Sequence, residues 1–216
     1  MKTINKHLIV AMTLPLLASV FYFEVFDGQI LAQILYLAAK IFILIFPLLF
    51  IKQLSPFKKV FKFDIKELVL GAIIGMAIFG LGFLLIKLPA IAEIVMSAAP
   101  FVQSKINSFG VMEHYLLMAL VISFVHSMLE EYYWRWFVYG ESKKLILSAG
   151  AFSLHHFVVL NYYFDVWAAL VLTLIVAMGG VLFNLLYARK ENIWGAWAAH
   201  VGADLFIFYV GGLLIW

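Results

Sequence analysis

Long, continuously apolar segments constrain the fold of this chain more than any other feature. Seven of them occur, over residues 8–23, 30–51, 68–88, from 111 past 129, 145–160, 166–188 and 193–216. About 20 apolar residues are enough for an α-helix to cross a bilayer. A membrane β-barrel would instead show ten-residue segments of alternating polarity. The sequence therefore predicts an all-α, polytopic transmembrane helical bundle with about seven spans, within a range of six to eight.

The composition excludes several classes of protein. Hydrophobic residues make up 66% of the chain and charged residues 12%, against about 45–50% and about 25% in soluble domains. A soluble enzyme, a nucleic-acid-binding protein and a disordered tail are therefore excluded. The chain has no cysteine, so disulfides, thiolate metal sites and a cysteine nucleophile are excluded too. We find no tandem repeat and predict one integral-membrane domain over residues 1–216.

The distribution of basic residues predicts how the helices are oriented. Lysine and arginine cluster at the N-terminus, where Lys2 and Lys6 lie, and in segments 52–66, 143–144 and 189–190. The alternate connections are acidic or nearly uncharged. With seven spans, every basic cluster falls on one side of the membrane. Since cytoplasmic loops carry the excess of positive charge, we expect a cytoplasmic N-terminus.

Small and aromatic residues give two expectations about packing. Gly71 and Gly75 lie four residues apart on one helix, a spacing that lets another transmembrane helix approach closely. Phenylalanine, tyrosine and tryptophan commonly face lipid or anchor a helix at the interface. We therefore expect most of the aromatic residues of this chain to do the same.

Ionisable side chains within the apolar segments are the strongest indication of function. Such groups are costly at membrane depth and usually mark a functional site. They are concentrated in three predicted helices: His126, Glu130, Glu131 and Arg135 on the fourth, His155 and His156 on the fifth, and His200 and Asp204 on the seventh. We expect these three helices to direct their polar side chains towards a shared interior.

The spacing of these residues separates structural from chemical roles. Residues four apart share a helix face, which pairs Glu131 with Arg135 as a structural ion pair and His200 with Asp204. His126 shares a face with Glu130 and is expected to support it. A carboxylate beside an imidazole can activate water for attack on a carbonyl. Further polar groups can stabilise the oxyanion that forms.

The neighbouring His155 and His156 cannot occupy the same face of one helix. At least one of them is therefore expected to pack against other side chains or to bond a carbonyl. Zinc held by Glu130, His156 and His200 is chemically allowed. Because no local zinc motif such as His-Glu-x-x-His occurs, we predict a mechanism without a cofactor and rank the metal below it. Neither a Gly-x-Ser-x-Gly elbow nor a Gly-x-Gly-Asp motif is present.

Three motifs in order resemble a known family. Glu130-Glu131-x-x-x-Arg135, Phe152-x-x-x-His156 and His200-x-x-x-Asp204 are similar to those of the CAAX protease and bacteriocin-processing (CPBP, or ABI) family. The resemblance covers about residues 111–216, whereas residues 1–110 form helices of unassigned role. It implies an intramembrane protease in which Glu130 is the general base and His156 helps to activate the water. His200 and Asp204 would then form the oxyanion site, with Glu131, Arg135 and Phe152 in support.

The chain departs from the family pattern at three points. Trp136 stands where a glycine often follows the motif arginine. The separation between Glu130 and His156 is short, which requires a tight connection between the fourth and fifth helices. Asp204 replaces the usual asparagine, and an ionised carboxylate would repel an oxyanion. Asp204 therefore either carries a proton and donates it in a hydrogen bond, or orients a histidine.

Several functions remain open at this point. The resemblance favours an endopeptidase that cleaves a membrane-associated peptide or protein tail, including a lipid-modified one, among membrane lipids. In a bacterial cell membrane, maturation of a peptide pheromone or bacteriocin fits better than removal of a CAAX tripeptide. A non-proteolytic protein of the same fold, acting in bacteriocin self-immunity or as a scaffold, is the alternative. A proton-coupled carrier is a third reading, although no inverted repeat is visible.

Overall fold

Among the residues that the computed structural model describes, seven helices are long and apolar enough to cross a membrane. The structure describes residues 5–216, apart from the side chains of Gln53 and Phe109, so Lys2 of the predicted basic N-terminus lies outside the described residues. The part of the chain that is described contains no strand. The spans, numbered in chain order, are Lys6–Val25, Ile30–Lys52, Ile65–Leu85, Met112–Ser142, Leu145–Tyr163, Val166–Lys190 and Ile193–Ile215. The prediction of an all-α membrane protein with about seven spans is confirmed.

Most spans are α-helical, but several contain turns of other helix types. The α-helices are Lys6–Val20, Ile30–Ile45, Phe57–Val60, Ile65–Leu85, Pro89–Ser97, Ala99–Phe109, Tyr115–Val121, Ser127–Glu131, Gly140–Ser142, Leu145–Tyr163, Val166–Lys190 and Ile193–Ile215. Shorter 3₁₀ segments cover Phe46–Gln53 and Met112–His114, and π-helical segments cover Phe21–Val25, Ile122–His126 and Tyr132–Tyr139. The fourth span thus contains two π-helical segments. π-Helical segments are rare in proteins overall, but they occur often at functional sites.

The chain forms two compact units, each assembled from segments far apart in the sequence. The first unit joins the residues up to Lys62 to Leu129–Ile193. The second unit joins Phe63–Met128 to Trp194–Trp216. The first unit therefore contains the first, second, fifth and sixth spans with the later part of the fourth.

The second unit is held together by close contact between the third and seventh spans. A Cβ atom on Gly71 would collide with the carbonyl oxygen of Gly195, and one on Gly75 would lie 2.8 Å from the carbonyl oxygen of Ala198. The backbones of Gly75 and Gly202 also meet. The predicted close helix approach at Gly71 and Gly75 is confirmed.

Connections between spans are tied together at both ends of the first unit. Glu191 accepts hydrogen bonds from Lys59 Nζ at 2.6 Å and from Lys143 Nζ at 3.0 Å. Lys59 and Lys143 lie in two of the predicted basic segments, and Glu191 directly follows the third, 189–190, so these segments meet at one end of this unit. Near the other end, the Tyr162 hydroxyl donates to Asp27 at 2.9 Å. The cytoplasmic location of the basic end stays a prediction.

The aromatic residues of the fourth span pack inside the first unit. Tyr133, Trp134, Trp136 and Phe137 are each at most 1% exposed. The Tyr133 hydroxyl donates to the Ala11 carbonyl at 2.7 Å, so the first span covers this surface. The expectation that aromatic residues face lipid is wrong for this segment. Protein from the N-terminal spans takes the place of lipid around it.

Candidate active site

Glu130, His155 and His156 lie together in the first unit. One carboxylate oxygen of Glu130 and one nitrogen of each imidazole lie within 4.8 Å of one another. His155 Nε2 is 3.7 Å from Glu130 Oε1, and the two imidazole centroids are 4.0 Å apart. Glu130 is 6% exposed and His155 8% exposed. The structure therefore brings together the predicted base, which is buried, and the motif histidine, which is partly buried, with the buried His155 as a further member.

A tight turn between the fourth and fifth spans sets this register. Only Lys143 and Lys144 connect the helix that ends at Ser142 with the helix that begins at Leu145. Lys143 adopts a left-handed backbone conformation with φ of 51°. Lys143 lies thirteen positions after Glu130 and thirteen positions before His156. Glu130 and His156 thus stand at equal separations from the turn along the chain, and a polar atom of one lies within 4.8 Å of a polar atom of the other, as the short separation requires.

The phenylalanine and histidine of the second motif are joined by a hydrogen bond. Nδ1 of His156 lies 2.9 Å from the carbonyl oxygen of Phe152, one helical turn earlier. A carbonyl can only accept, so Nδ1 carries the proton and donates it. In the neutral ring, Nε2 then holds the lone pair. The Phe152-x-x-x-His156 spacing thus fixes both the orientation and the tautomer of His156.

His155 is held by aromatic stacking. Its ring lies parallel to that of Trp134, with centroids 5.5 Å apart and an angle of 3° between the planes. The ring of Phe152 meets it edge-on at 5.6 Å. Nδ1 of His155 is buried and has no hydrogen-bond partner among residues 5–216. His156 bonds a carbonyl, which meets the expectation for at least one of the two adjacent histidines. The expectation that the two face apart is wrong, because both imidazoles lie beside Glu130.

Glu131 and Arg135 form the predicted ion pair directly behind Glu130. Arg135 Nε lies 3.2 Å from Glu131 Oε2 in a pair that is at most 1% exposed. The guanidinium carbon lies 4.4 Å from the ring centroid of Phe152 and 5.1 Å from that of Phe183. Cation–π contacts of this kind stabilise a desolvated guanidinium. Arg135 therefore connects the first motif to the phenylalanine of the second.

Two residues around the site carry no signal in the sequence. Trp134, which stacks on His155, is one aromatic residue in a run of several. Phe183 lies on the sixth span, outside all three motifs. An apolar residue in an apolar helix shows nothing unusual, so only the structure identifies these contacts.

The third motif forms a polar pair in the second unit. His200 Nε2 lies 3.5 Å from Asp204 Oδ1, and His200 is 5% exposed. Their predicted common helix face is confirmed. His126 is partly buried and closes the π-helical segment Ile122–His126 of the same unit. That these residues and Glu130 face one interior stays a prediction, as does the zinc site of Glu130, His156 and His200.

Comparison with known proteins agrees with this reading of the motifs. Residues 112–206 match the family model described as Rce1-like, type II CAAX prenyl endopeptidase. No curated protein and no solved structure matches the chain. The matched region contains all three motifs, from Glu130 to Asp204, and supports a CAAX-type membrane endopeptidase in general. Residues 112–206 of this integral membrane protein are therefore similar to the CAAX protease and bacteriocin-processing family, as its motifs predict.

Proposed function

We propose that this protein is a membrane-embedded endopeptidase that uses Glu130 to activate water. One observation carries the proposal: a buried carboxylate lies beside two imidazoles, with one polar atom of each within 4.8 Å of the others. These groups belong to the region that matches the CAAX endopeptidase family. Buried ionisable groups in a membrane protein are costly and usually mark a functional site.

The chemistry follows from the two protons of a water molecule held at this site. One proton points to Glu130 and the other to the lone pair on Nε2 of His156. As the water oxygen attacks the peptide carbonyl carbon, Glu130 takes the first proton and the carbonyl π electrons move to oxygen. The oxyanion then collapses, the C–N bond breaks, and Glu130 gives its proton to the departing nitrogen. The products are a carboxyl group and an amine.

The measured separation between His155 and Glu130 favours water over a metal as the ordinary occupant of the site. Two partners of one hydrogen-bonded water lie about 4.5 Å apart when each bond is about 2.8 Å. Ligands of one tetrahedral zinc, at about 2.0 Å from the ion, lie about 3.3 Å apart. One pair of the three, His155 Nε2 and Glu130 Oε1, is 3.7 Å apart, which is longer than the zinc-ligand separation. We therefore propose a reaction without a cofactor.

We assign the oxyanion site to His200 and Asp204. A protonated imidazole donates hydrogen bonds from both nitrogens, so His200 can bond Asp204 with one and the oxyanion with the other. The distance of 3.5 Å between His200 Nε2 and Asp204 Oδ1 is consistent with an orienting contact. Asp204 is then a positioning residue in this proposal. His126 is a further supporting residue of the same unit.

The proposed substrate is a membrane-associated peptide or protein tail. To reach the carboxylate and imidazoles, the substrate must present an extended segment. That segment must be able to move out of the water or the lipid headgroups and into the protein. A lipid-modified tail or the precursor of a peptide pheromone or bacteriocin has this property. Membrane lipids surround the enzyme, and the proposed location is a bacterial cell membrane.

The first experiment compares new protein ends in membranes that contain different variants. We would express the wild type, Glu130→Gln and Glu113→Gln at matched levels and map terminal peptides in the membrane fraction. Glu113→Gln is the matched control, because it makes the same change in an exposed residue of the same span. We expect ends that occur with the wild type and the control but not with Glu130→Gln.

Two outcomes would contradict the proposal. If Glu130→Gln produces the same ends as the wild type, Glu130 is not the base. If no variant produces new ends in the native cell, although all are folded and abundant, the self-immunity or scaffold function is favoured. Thermal unfolding of the three purified proteins in detergent provides the folding control.

A further inference from the structure

His155 is the one member of the buried cluster that the proposed reaction does not use. Its Nε2 lies 3.7 Å from Glu130 Oε1, and its Nδ1 is buried without a hydrogen-bond partner among the described residues. Its ring is fixed by the parallel ring of Trp134. A rigid imidazole beside a carboxylate and a second imidazole is a set of ligands for a transition metal.

We propose that Glu130, His155 and His156 bind a divalent transition metal ion, zinc being the best candidate, and that this ion inhibits the enzyme. The inhibition rests on the proposed function, because the ion occupies the carboxylate that would otherwise accept a proton from water. One ligand atom from each of the three residues lies within 4.8 Å of the other two. The ion therefore regulates the site and is not a cofactor of it.

The types of ligand determine which ions bind. Two imidazole nitrogens and one carboxylate oxygen suit Zn²⁺ and Co²⁺, whereas Mg²⁺ and Ca²⁺ prefer sites made of oxygen atoms alone. Metal-bound histidines commonly donate their second ring proton to a backbone carbonyl. His156 already makes this bond to Phe152 at 2.9 Å. Its ring is thus oriented as a metal ligand as well as a partner for water.

The distances predict reversible binding. The separation of 3.7 Å between His155 and Glu130 must shrink slightly for both to bind one ion, since zinc ligands lie about 3.3 Å apart. We expect a small rotation of the Glu130 carboxylate to bring the two atoms to this distance. His155 stays in place because Trp134 and Phe152 hold its ring. An ion that requires this rotation competes with water and leaves again when a chelator is added.

Binding can be measured without any activity. We would strip the purified full-length protein in detergent with a chelator and titrate it with Co²⁺, following the visible absorption of the bound ion. The variants are His155→Phe, which keeps a ring to stack on Trp134, His155→Gln, and Glu130→Gln. His114→Phe is the matched control, because His114 is an exposed histidine of the fourth span. Thermal unfolding identifies variants that fail to fold.

We expect at least tenfold weaker Co²⁺ binding in His155→Phe, His155→Gln and Glu130→Gln, with no change in His114→Phe. Equal binding in all folded proteins would overturn the site. On a substrate found by terminal-peptide mapping, the stripped enzyme should be fully active and lose activity as Zn²⁺ is added. His155→Phe should require at least tenfold more Zn²⁺ for half inhibition.

The binding measurement and the activity measurement together distinguish failure of this proposal from failure of the proposed function. If chelation abolishes cleavage and Zn²⁺ restores it, the ion is a cofactor and the inhibitory role is overturned. If Co²⁺ binding requires Glu130 but cleavage does not, the metal site stands and the proposed reaction fails. If cleavage requires Glu130 but Zn²⁺ has no effect on it, the reaction stands and the inhibitory role fails.

Discussion

Arg135 Nε lies 3.2 Å from Glu131 Oε2, and neither side chain is more than 1% exposed. A buried ion pair of this kind contributes little net stability compared with apolar residues of the same size. Removing one partner is different, because the other charge stays buried without compensation, at a cost of about 3–5 kcal/mol. We therefore expect that loss of either partner destabilises the helix that carries Glu130.

The first prediction concerns this pair. Arg135→Met and Glu131→Gln should each lower the free energy of unfolding by about 3–5 kcal/mol, and the double variant should recover most of the loss. Arg135→Lys should not substitute, because an ammonium lacks the planar face that lies 4.4 Å from the Phe152 ring. Thermal unfolding in detergent tests this. Single variants as stable as the wild type would show that the pair is dispensable.

A second prediction compares two glycines of the third span. Gly71→Ala should destabilise the protein by about 1–3 kcal/mol through overpacking, since its Cβ would collide with the Gly195 carbonyl. Gly80→Ala is the control, because no atom lies within 4 Å of a Cβ placed there. In a helix, alanine is about 1 kcal/mol more favourable than glycine, so the control should be neutral or slightly stabilised. Equal melting temperatures for both variants would refute the close contact.

A third prediction explains the tryptophan that replaces the family's glycine. Trp136 is fully buried, and its Nε1 donates to the Ser55 carbonyl at 2.8 Å. Trp136→Ala should therefore cost about 3–5 kcal/mol, and Trp136→Gly should cost more. Trp167→Ala is the control, since Trp167 is 75% exposed. The prediction fails if the two alanine variants unfold at the same temperature.

A fourth prediction concerns pH. Hydrogen bonds from Lys59 and then from Lys143 lower the pKa of Glu191 from 4.5 to about 2. Because the folded pKa is the lower one, this contribution is complete above about pH 4.5 and is lost as the pH falls towards 2. The bridge is partly exposed, so it is worth at most about 1 kcal/mol. Wild type and Glu191→Gln should differ in melting temperature by a constant amount from pH 8 to 5.

Below pH 4.5 this difference should shrink and disappear near pH 2. Lys59→Gln should reproduce part of the effect, since it removes one of the two donors. High salt should reduce the difference at neutral pH by screening the charges. A difference that persists unchanged at pH 2 would mean that the bridge does not act through charge.

A fifth prediction tests the third motif. If Asp204 only orients His200, Asp204→Asn can still bond the imidazole, and activity should fall by less than about tenfold, or about 1.4 kcal/mol. Asp204→Leu should lose far more, because it cannot bond His200 at all. Initial rates on one identified substrate distinguish these cases. Equal loss in both variants would show that the carboxylate itself is required.

The spans were predictable because length and hydropathy are properties of the local sequence. The third span shows the limit of that information. Its apolar segment predicts a helix over 68–88, whereas the helix runs from Ile65 to Leu85. Asp64 caps it by accepting hydrogen bonds from the backbone N–H groups of Lys66 and Glu67. Because of this cap, the helix begins three positions earlier than the apolar segment does, at residues that hydropathy assigns to the loop.

The same limit separates the two parts of the candidate site. The pairs Glu131 with Arg135 and His200 with Asp204 follow from helical spacing alone, and both are present. That His155 as well as His156 lies beside Glu130 depends on the register between two helices, which the left-handed turn at Lys143 sets. No pattern within either helix encodes that register.

The discontinuous units have a consequence for biosynthesis. The first and second spans leave the ribosome before the fourth, fifth and sixth, with which they share a unit. The third span is likewise made before the seventh, its partner in the second unit. Because chains are made from the N-terminus onward, neither unit can be completed early. The glycine face at Gly71 and Gly75 stays uncovered until Ile193–Ile215 has entered the membrane. The early spans must therefore stay in the membrane without the spans that they pack against in the finished protein. The last helix made completes the second unit.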